Sequence, residues 1–458
     1  MVFSSLIFLF RFLPLALLAY FLAPRFLKNG VLLVISLFFY AWGEPRYVLI
    51  MFISIAVDYI ASGGIERNRS NPIRKRLFLA LSICTNLGLL LGFKYSNFLI
   101  ENLNAAFGLA MAPIAITLPL GISFYTFQTL SYSIDVYRGE VPAERNLIDF
   151  GAYVCLFPQL IAGPIVRYVD IRKALKSRTV DFEQIESGIG LFILGLASKV
   201  LIANNAGMLW DDIQKIGFGN LSLPMAWLGI AAFTLQIYFD FGGYSLMAIG
   251  LGRILGFEFP RNFDDPYAAK SVTEFWRRWH MTLGSWFRSY VYIPMGGNQK
   301  GFPRQVFNLL IVWFLTGFWH GASWNFVFWG LYFFVFLVLE KLFLLKWLNR
   351  HTIAAHVYLI GVVMVSWVIF AITDIGGIGL YLQKMFSGPL TGEGLYYFKS
   401  YGLTLILGAL FSTPLTKKWY AQLKARRGVF ALTLSVIFFV CVSYLVGSSF
   451  NPFLYFRF

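Results

Sequence analysis

Apolar segments about as long as a membrane-spanning helix recur from one end of this chain to the other, with no long polar block between them. A helix needs about 20 mainly apolar residues to cross the hydrocarbon core of a bilayer. Only 13% of the 458 residues are charged, against about 25% in ordinary soluble domains. The pattern predicts an all-α polytopic integral membrane protein with a single membrane domain over residues 1–458.

The apolar segments and the basic loops between them predict a topology. Lys and Arg cluster at 66–76, 167–178 and 417–427, and such clusters are typical of cytoplasmic loops next to anionic lipids. The net charge of +16 therefore indicates contact with membrane lipids, not nucleic acid. The ten predicted spans are 5–23, 30–43, 47–64, 77–100, 114–137, 186–206, 224–250, 353–373, 401–416 and 428–447.

Two further apolar stretches do not fit a single crossing. Residues 147–166 have basic residues on both sides and are interrupted by Pro158 and Pro164, which favours a re-entrant element. The stretch 305–339 has no Asp, Glu, Lys or Arg, and as one helix it would reach ~50 Å across a core of ~30 Å. We therefore predict two helical arms that meet near His320, deep in the membrane.

His320 is the only side chain in that stretch that titrates near neutral pH. One interpretation is a histidine that only makes a hydrogen bond within a helix bundle. Ionisable groups at bilayer depth are costly, however, and they commonly line a cavity or a pathway. Burial favours the neutral imidazole, which can accept a proton from a hydroxyl group. This chemistry favours a functional role for His320.

A second histidine lies in the mixed aromatic and basic segment "EFWRRWHMTLGSWFR". If this segment is helical, Trp276 and His280 share one face, because residues i and i+4 align. A helix at the membrane interface with an aromatic belt is one interpretation. In the other, His280 faces a reaction cavity. Arg277, Arg278 and Arg288 then bind the phosphates of a cytoplasmic thioester donor.

Other polar residues are less specific. Asp240 lies in an otherwise apolar span, where it could be a structural hydrogen-bond anchor or a catalytic group. His351 and His356 follow Arg350 and are predicted in a solvated loop. The four histidines lack the spacing of zinc ligands, and the three cysteines are far apart, so no metal site is predicted. The chain also lacks a GxxxxGK[ST] motif for ATP.

The segments "NFDDPYAAKSVTEFWRRWHMTLGSWFRSYVYIPMGGN" and "FLTGFWHGASWNFVFWGLYF" resemble the paired-histidine core of the membrane-bound O-acyltransferase (MBOAT) superfamily. "LFFYAWGEPRY", "LPLGISFYTFQTLSYSIDVYRG" and the ending "NPFLYFRF" are similar to its bacterial alginate O-acetyltransferase membrane-subunit branch. The resemblance implies a multi-helix fold with a funnel on each side of a thin partition. It also implies a catalytic core at about 114–345.

The resemblance further implies acyl transfer, usually of acetyl, from a cytoplasmic thioester to an extracytoplasmic glycan or a secreted esterase-like partner. The expected donor is acetyl-CoA or another phosphopantetheine thioester, with no tightly bound cofactor. The expected location is the bacterial cell membrane. Transfer of D-alanyl or another acyl group to a wall polymer is an alternative. A transporter or flippase is less favoured, because only one His-centred break occurs and no matching half is present.

Residue roles follow from the same resemblance. His320 is predicted at the reaction centre, where it accepts the proton of the attacking hydroxyl. His280 is predicted near the same conduit, and His280, Trp279 or Asn325 could polarise the thioester carbonyl or orient the donor. Asp240 is predicted to support these groups indirectly.

Overall fold

The computed structural model describes residues 1–448, 450–452 and 454 of the chain. Every regular element in that part is a helix. The helices form two compact units, one of Met1–Phe192 with Met247–Pro260 and the other of Ile193–Leu246 with Arg261–Phe458. Hydropathy gives no sign of this division, because apolar segments occur in both units.

Eight helices in the described residues are long and apolar enough to cross a membrane. Seven of the ten predicted spans fall on them, which confirms the all-α polytopic class. The predicted spans at 5–23, 114–137 and 401–416 fall on helices that do not meet both criteria. The eight are Arg25–Gly43, Pro45–Arg67, Pro72–Lys94, Phe182–Ile216, Leu223–Ile254, Trp324–Leu348, Thr352–Ala371 and Arg427–Gly447.

In the first unit a π-helical turn at Phe8–Phe12 leads into α1. Helix α3 packs against α4 and α6, and α2 packs against α7. The helices are α1 Leu13–Leu22, α2 Lys28–Gly43, α3 Val48–Arg67, α4 Pro72–Lys94, α5 Ser96–Phe107, α6 Ile122–Arg138, α7 Leu147–Cys155, α8 Phe157–Leu160 and α9 Tyr168–Lys176. Helix α10, Phe182–Ala197, begins in this unit.

Two predicted boundaries in the first unit are wrong. Helix α4 begins at Pro72 instead of residue 77, because proline suits a first helical turn and the Asn71 side chain accepts the N–H of Arg74 at 3.1 Å. Helix α6 begins at Ile122 instead of residue 114. The preceding Gly121 has a φ of +74°, a conformation that favours glycine and separates the helix from the extended residues before it.

The predicted re-entrant stretch is broken, as its prolines indicated. It consists of α7 and the short α8, which are separated at Leu156. Residues 149–166 are all buried in the protein. Burial is the condition under which irregular backbone is tolerated at membrane depth, because lipid cannot satisfy its polar groups. The stretch is not among the eight candidate spans.

In the second unit α15 packs against α16, and α16 packs against α18. The helices are α11 Asn204–Ile216, α12 Leu223–Ile254, α13 Val272–Arg278, α14 Met281–Phe287, α15 Phe302–His320, α16 Trp324–Leu339, α17 Leu345–Leu348, α18 Thr352–Ala371, α19 Ile375–Ser387, α20 Glu393–Phe411, α21 Leu415–Lys424 and α22 Arg427–Gly447. The last residues of α12, from Met247 onward, belong to the first unit.

The pair α15 and α16 forms the predicted two arms. Helix α15 ends at His320, Gly321 is extended, and α16 begins at Trp324, so the predicted break at His320 is confirmed. The two backbones approach closely at Gly317 and Gly330. A Cβ atom on Gly317 would overlap the carbonyl oxygen of Phe326, and one on Gly330 would overlap a carbonyl of α15. Glycine is needed at these positions because the helices touch there through their backbones.

A buried carboxylate anchors α13 beside this pair. Glu340, directly after α16, accepts the backbone N–H groups of Val272 at 2.6 Å and Thr273 at 2.9 Å. These N–H groups have no partner inside the helix, and a negative charge at a helix N-terminus is favourable. Ser271 caps the same end by accepting the N–H of Glu274 at 3.0 Å. No local pattern in the sequence connects Glu340 with the "WRRWH" segment.

Candidate active site

His320 is the last residue of α15 and is 7% exposed. Its Nδ1 lies 2.7 Å from the carbonyl oxygen of Thr316. A carbonyl can only accept a hydrogen bond, so Nδ1 carries the proton, and Nε2 of the neutral ring has the lone pair. The histidine is therefore held as the tautomer that can accept a proton at Nε2.

Aromatic side chains enclose the His320 ring. The ring centroids of Trp319, Trp329 and Phe370 lie 5.0, 4.8 and 5.6 Å from that of His320, at steep interplanar angles. Trp329 and Phe370 come from α16 and α18, so the packing of three helices fixes the imidazole. Such an enclosure limits contact with bulk water, which strengthens electrostatic interactions at the ring.

A small cavity lies next to the His320 ring. The cavity volume is about 10 Å³, which is room for about one water molecule. The cavity is lined by Ile237, Asp240, Phe241, Trp279, His320, Trp329, Trp367, Phe370 and Leu454. Three predicted site residues, His320, Trp279 and Asp240, thus come together at one cavity.

His280 and Trp276 would share a face if their segment were one helix, but the structure shows that it is not. Helix α13 ends at Arg278, and His280 adopts the left-handed conformation with φ 43° before α14 begins. The ring is buried, with Phe241 at a centroid distance of 4.7 Å and Trp319 at 6.1 Å. Trp319 also contacts His320, so one indole packs against both predicted catalytic histidines.

The ring nitrogens of His280 have different surroundings. Nδ1 lies 3.1 Å from Oδ1 of Asn262, whereas Nε2 is buried and has no hydrogen-bond partner in the described part of the chain. Burial lowers the pKa of His280 well below its ordinary value, and the charge of a protonated His320 lowers it further. Both effects favour a neutral His280. The sequence did not indicate a role for Asn262, because only the fold places its side chain next to His280.

Asp240 forms a buried ion pair that the sequence analysis missed. Its Oδ1 lies 2.8 Å from Nζ of Lys199, with the two side chains 2% and 3% exposed. Its Oδ2 accepts the backbone N–H of Leu454 at 2.9 Å, and Lys199 also donates to the carbonyl oxygen of Pro452. The pair therefore fastens Leu454 to the cavity wall. Opposite charges in two predicted spans were a signal that could have suggested this pair.

Asn325 makes its hydrogen bonds with α18. Nδ2 of Asn325 donates to the carbonyl oxygens of Ile369 and Phe370 at 3.2 and 3.1 Å, so it connects α16 to α18. Asn325 does not line the cavity. Its nearest link to His320 is Phe370, whose ring packs against the imidazole.

The three arginines predicted to bind the donor differ from one another. Arg278 already pairs with Glu274 at 2.6 Å and donates to the carbonyl oxygen of Asp264. Arg277 and Arg288 are exposed. The structure therefore leaves Arg277 and Arg288 more available than Arg278 for binding an external anion.

The predicted solvated loop for His351 and His356 is wrong for one of the two. His351 is exposed directly before α18. His356 lies inside α18, half-buried, with Nδ1 3.1 Å from the carbonyl oxygen of Ala269. Apolar residues lie on both sides of His356 in the sequence, and α18 continues through this position. Neither histidine lines the cavity.

Comparisons with known proteins indicate the family of this chain. The family model of the membrane-bound O-acyltransferase family matches residues 140–379. The chain is 37% identical to the probable alginate O-acetylase AlgI of Pseudomonas putida over the full length of both. It is 40% identical to the protein of the same name from Pseudomonas syringae pv. tomato, covering 84% of this chain and 75% of the relative. It is also 35% identical to the peptidoglycan O-acetyltransferase of Helicobacter pylori, covering 72% and 68%.

Proposed function

Because this chain belongs to the membrane-bound O-acyltransferase family, we propose that it transfers acetyl from a cytoplasmic thioester to hydroxyl groups of an extracytoplasmic polysaccharide. The transfer is direct or passes through a secreted esterase-like partner. The names of the relatives, which specify alginate and peptidoglycan O-acetylation, favour acetyl over D-alanyl. Since the proposed donor is cytoplasmic, we propose that the protein lies in the cytoplasmic membrane of a bacterium.

The observation that carries this proposal is the pair of buried imidazoles, each with its Nδ1 directed at an oxygen acceptor. In the proposed reaction, Nε2 of His320 accepts the proton of the attacking hydroxyl as its oxygen bonds to the thioester carbonyl carbon. The carbon–sulfur bond then breaks, and the proton passes from His320 to the departing thiolate. General-base catalysis of this kind is worth roughly 10² to 10⁴ in rate.

The proposed donor is acetyl-CoA or another phosphopantetheine thioester, used as a substrate and not as a resident cofactor. Its phosphates require cationic side chains, and guanidinium groups bind phosphate oxygens by two parallel hydrogen bonds. Arg277 and Arg288 lack a carboxylate partner among the ion pairs of the described residues. We therefore propose that these two arginines contact the donor phosphates, while Arg278 maintains the local structure.

We expect Arg277→Ala to raise the apparent KM for acetyl-CoA roughly tenfold with little change in kcat, because it removes a charge-assisted bond made equally before and during reaction. Arg278→Ala should change thermal stability more than the donor KM, since its guanidinium is already paired with Glu274. Titration of the donor on reconstituted protein measures both constants. Lys399→Ala, which removes an exposed cation of α20, is the control. An unchanged donor KM in Arg277→Ala and Arg288→Ala would exclude both from donor binding.

The proposed function is tested with purified protein in liposomes that contain radiolabelled acetyl-CoA on one side and a polysaccharide on the other. We expect thioester cleavage and labelled ester on the polysaccharide, either directly or after the secreted partner is added. Passage of intact acetyl-CoA across the bilayer without cleavage would instead support the transporter alternative. Transfer to water alone would contradict the polysaccharide acceptor.

A further inference from the structure

We propose that Asn262 is a positioning residue for His280, which it holds as the Nδ1–H tautomer so that Nε2 serves as a hydrogen-bond acceptor for the reacting groups. The ring of His280 packs against Trp319, the indole that also contacts His320. The inference rests on the proposed acyl-transfer function. It assigns His280 a role opposite to polarisation of the carbonyl, because polarisation requires a hydrogen-bond donor and an unprotonated Nε2 cannot donate.

The neighbouring backbone fixes the orientation of the Asn262 amide. Oδ1 lies 3.3 Å from the backbone nitrogen of Thr282 and 2.9 Å from its hydroxyl. The backbone N–H can only donate, so the atom facing it must be the amide oxygen, whichever way an isolated amide would be built. On the other side, Nδ2 donates to the hydroxyl of Ser245 at 3.1 Å, which agrees with this orientation.

The same oxygen then determines the tautomer of His280. Nδ1 lies 3.1 Å from Oδ1 of Asn262, and two acceptors cannot share a hydrogen bond, so Nδ1 must carry the ring proton. A neutral imidazole has one N–H, which leaves Nε2 unprotonated. Nε2 is buried without a partner in the described residues. A buried acceptor without a partner costs free energy, so its presence indicates a function.

The backbone around Asn262 is built to keep the two residues in register. The N–H of Met281 donates to the carbonyl oxygen of Asn262 at 2.9 Å, and the N–H of Asp264 donates to that of Arg278 at 2.9 Å. His280 lies between these bonds with φ 43°, a conformation that is unfavourable for a non-glycine residue. The surrounding bonds maintain this conformation, which turns the ring toward Asn262.

An unprotonated Nε2 can accept a hydrogen bond from the attacking hydroxyl or from the thiol that leaves. With the other tautomer, the ring would present an N–H to the same groups and could not accept a hydrogen bond from them. We therefore expect loss of the Asn262 acceptor to lower the transfer rate even when the ring of His280 remains in place. Loss of an outer partner of a functional histidine typically costs roughly 10- to 100-fold.

The test is the ¹⁵N spectrum of the full-length protein labelled at histidine, which distinguishes protonated from unprotonated ring nitrogens. The signals of His280 are those that disappear in His280→Gln. We expect wild-type protein to have a protonated Nδ1 and an unprotonated Nε2. We expect Asn262→Leu to populate the Nε2–H tautomer and to lower acetyl transfer about 10- to 100-fold. Asn262→Asp keeps an oxygen acceptor and should keep the wild-type pattern.

Asn308→Leu is the matched control. Asn308 is a fully buried asparagine whose Nδ2 donates to the carbonyl oxygen of Gly297 at 2.8 Å. Its loss removes a buried hydrogen bond without touching His280, so the histidine signals should stay unchanged. If Asn262→Leu does not insert, Asn262→Ala removes the acceptor with a smaller side chain and is measured instead.

The outcomes separate this inference from the proposed function. A wild-type Nε2–H tautomer, or an unchanged tautomer in folded Asn262→Leu and Asn262→Ala, would overturn the assignment of Asn262. A changed tautomer with unchanged transfer would overturn its positioning role. If the tautomer responds as expected but wild-type protein transfers no acetyl group, the proposed function fails while the control of His280 by Asn262 stands.

Discussion

We expect His320→Ala to abolish measurable acyl transfer while the protein remains folded and inserted. The loss should be at least the ~10² to 10⁴ that a general base contributes, because no other described side chain that lines the cavity offers an imidazole. The change should lower kcat and leave the donor KM nearly unchanged, since His320 acts in the transition state and not in donor binding. Initial rates with radiolabelled acetyl-CoA measure both constants.

Two variants distinguish chemistry from packing at this position. His320→Gln keeps a side chain that can donate to the carbonyl oxygen of Thr316, yet it has no group that accepts a proton near neutral pH. It should therefore be as inactive as His320→Ala and more stable. His351→Ala, at the exposed histidine before α18, should transfer at the wild-type rate. Transfer by His320→Ala within tenfold of wild type would remove His320 from the catalytic role.

The second large effect concerns the ion pair of Lys199 and Asp240. Replacing only one partner leaves an unpaired charge in the interior, which costs roughly 3–5 kcal/mol. We therefore expect Asp240→Leu and Lys199→Met each to lower the thermal midpoint strongly. The double variant should recover much of the lost stability, because no buried charge remains. Unfolding in detergent, followed by tryptophan fluorescence, gives the three midpoints.

Activity should not recover in the double variant. Asp240 also accepts the N–H of Leu454, a residue that lines the cavity next to His320. Removing both charges therefore releases this part of the cavity wall even when the helices are stable. Additive losses of stability in the single and double variants would show that the two charges are not coupled. Wild-type transfer by the double variant would show that Leu454 needs no such anchor.

The sequence alone determined the helical membrane class and the break at His320. These features are local, because the length of an apolar run limits the helices that it can form, and an uncharged run of 35 residues is too long for one crossing. The interruption of 147–166 was visible for the same reason, since proline acts within its own turn. The resemblance of the "WRRWH" and "WHG" segments added the predicted catalytic role of the two histidines, which hydropathy cannot provide.

Only the tertiary structure decided how the polar groups are paired. Asn262 contacts His280, Lys199 pairs with Asp240, and Glu340 caps α13, and each pairing joins residues that are separated in the chain. Periodicity describes one segment at a time, so it could not show that the helix ends before His280, where the backbone is left-handed and Asn262 is in contact. The positions of the helices follow from local apolar length, whereas the protonation and orientation of the site depend on hydrogen bonds that form only when distant segments pack together.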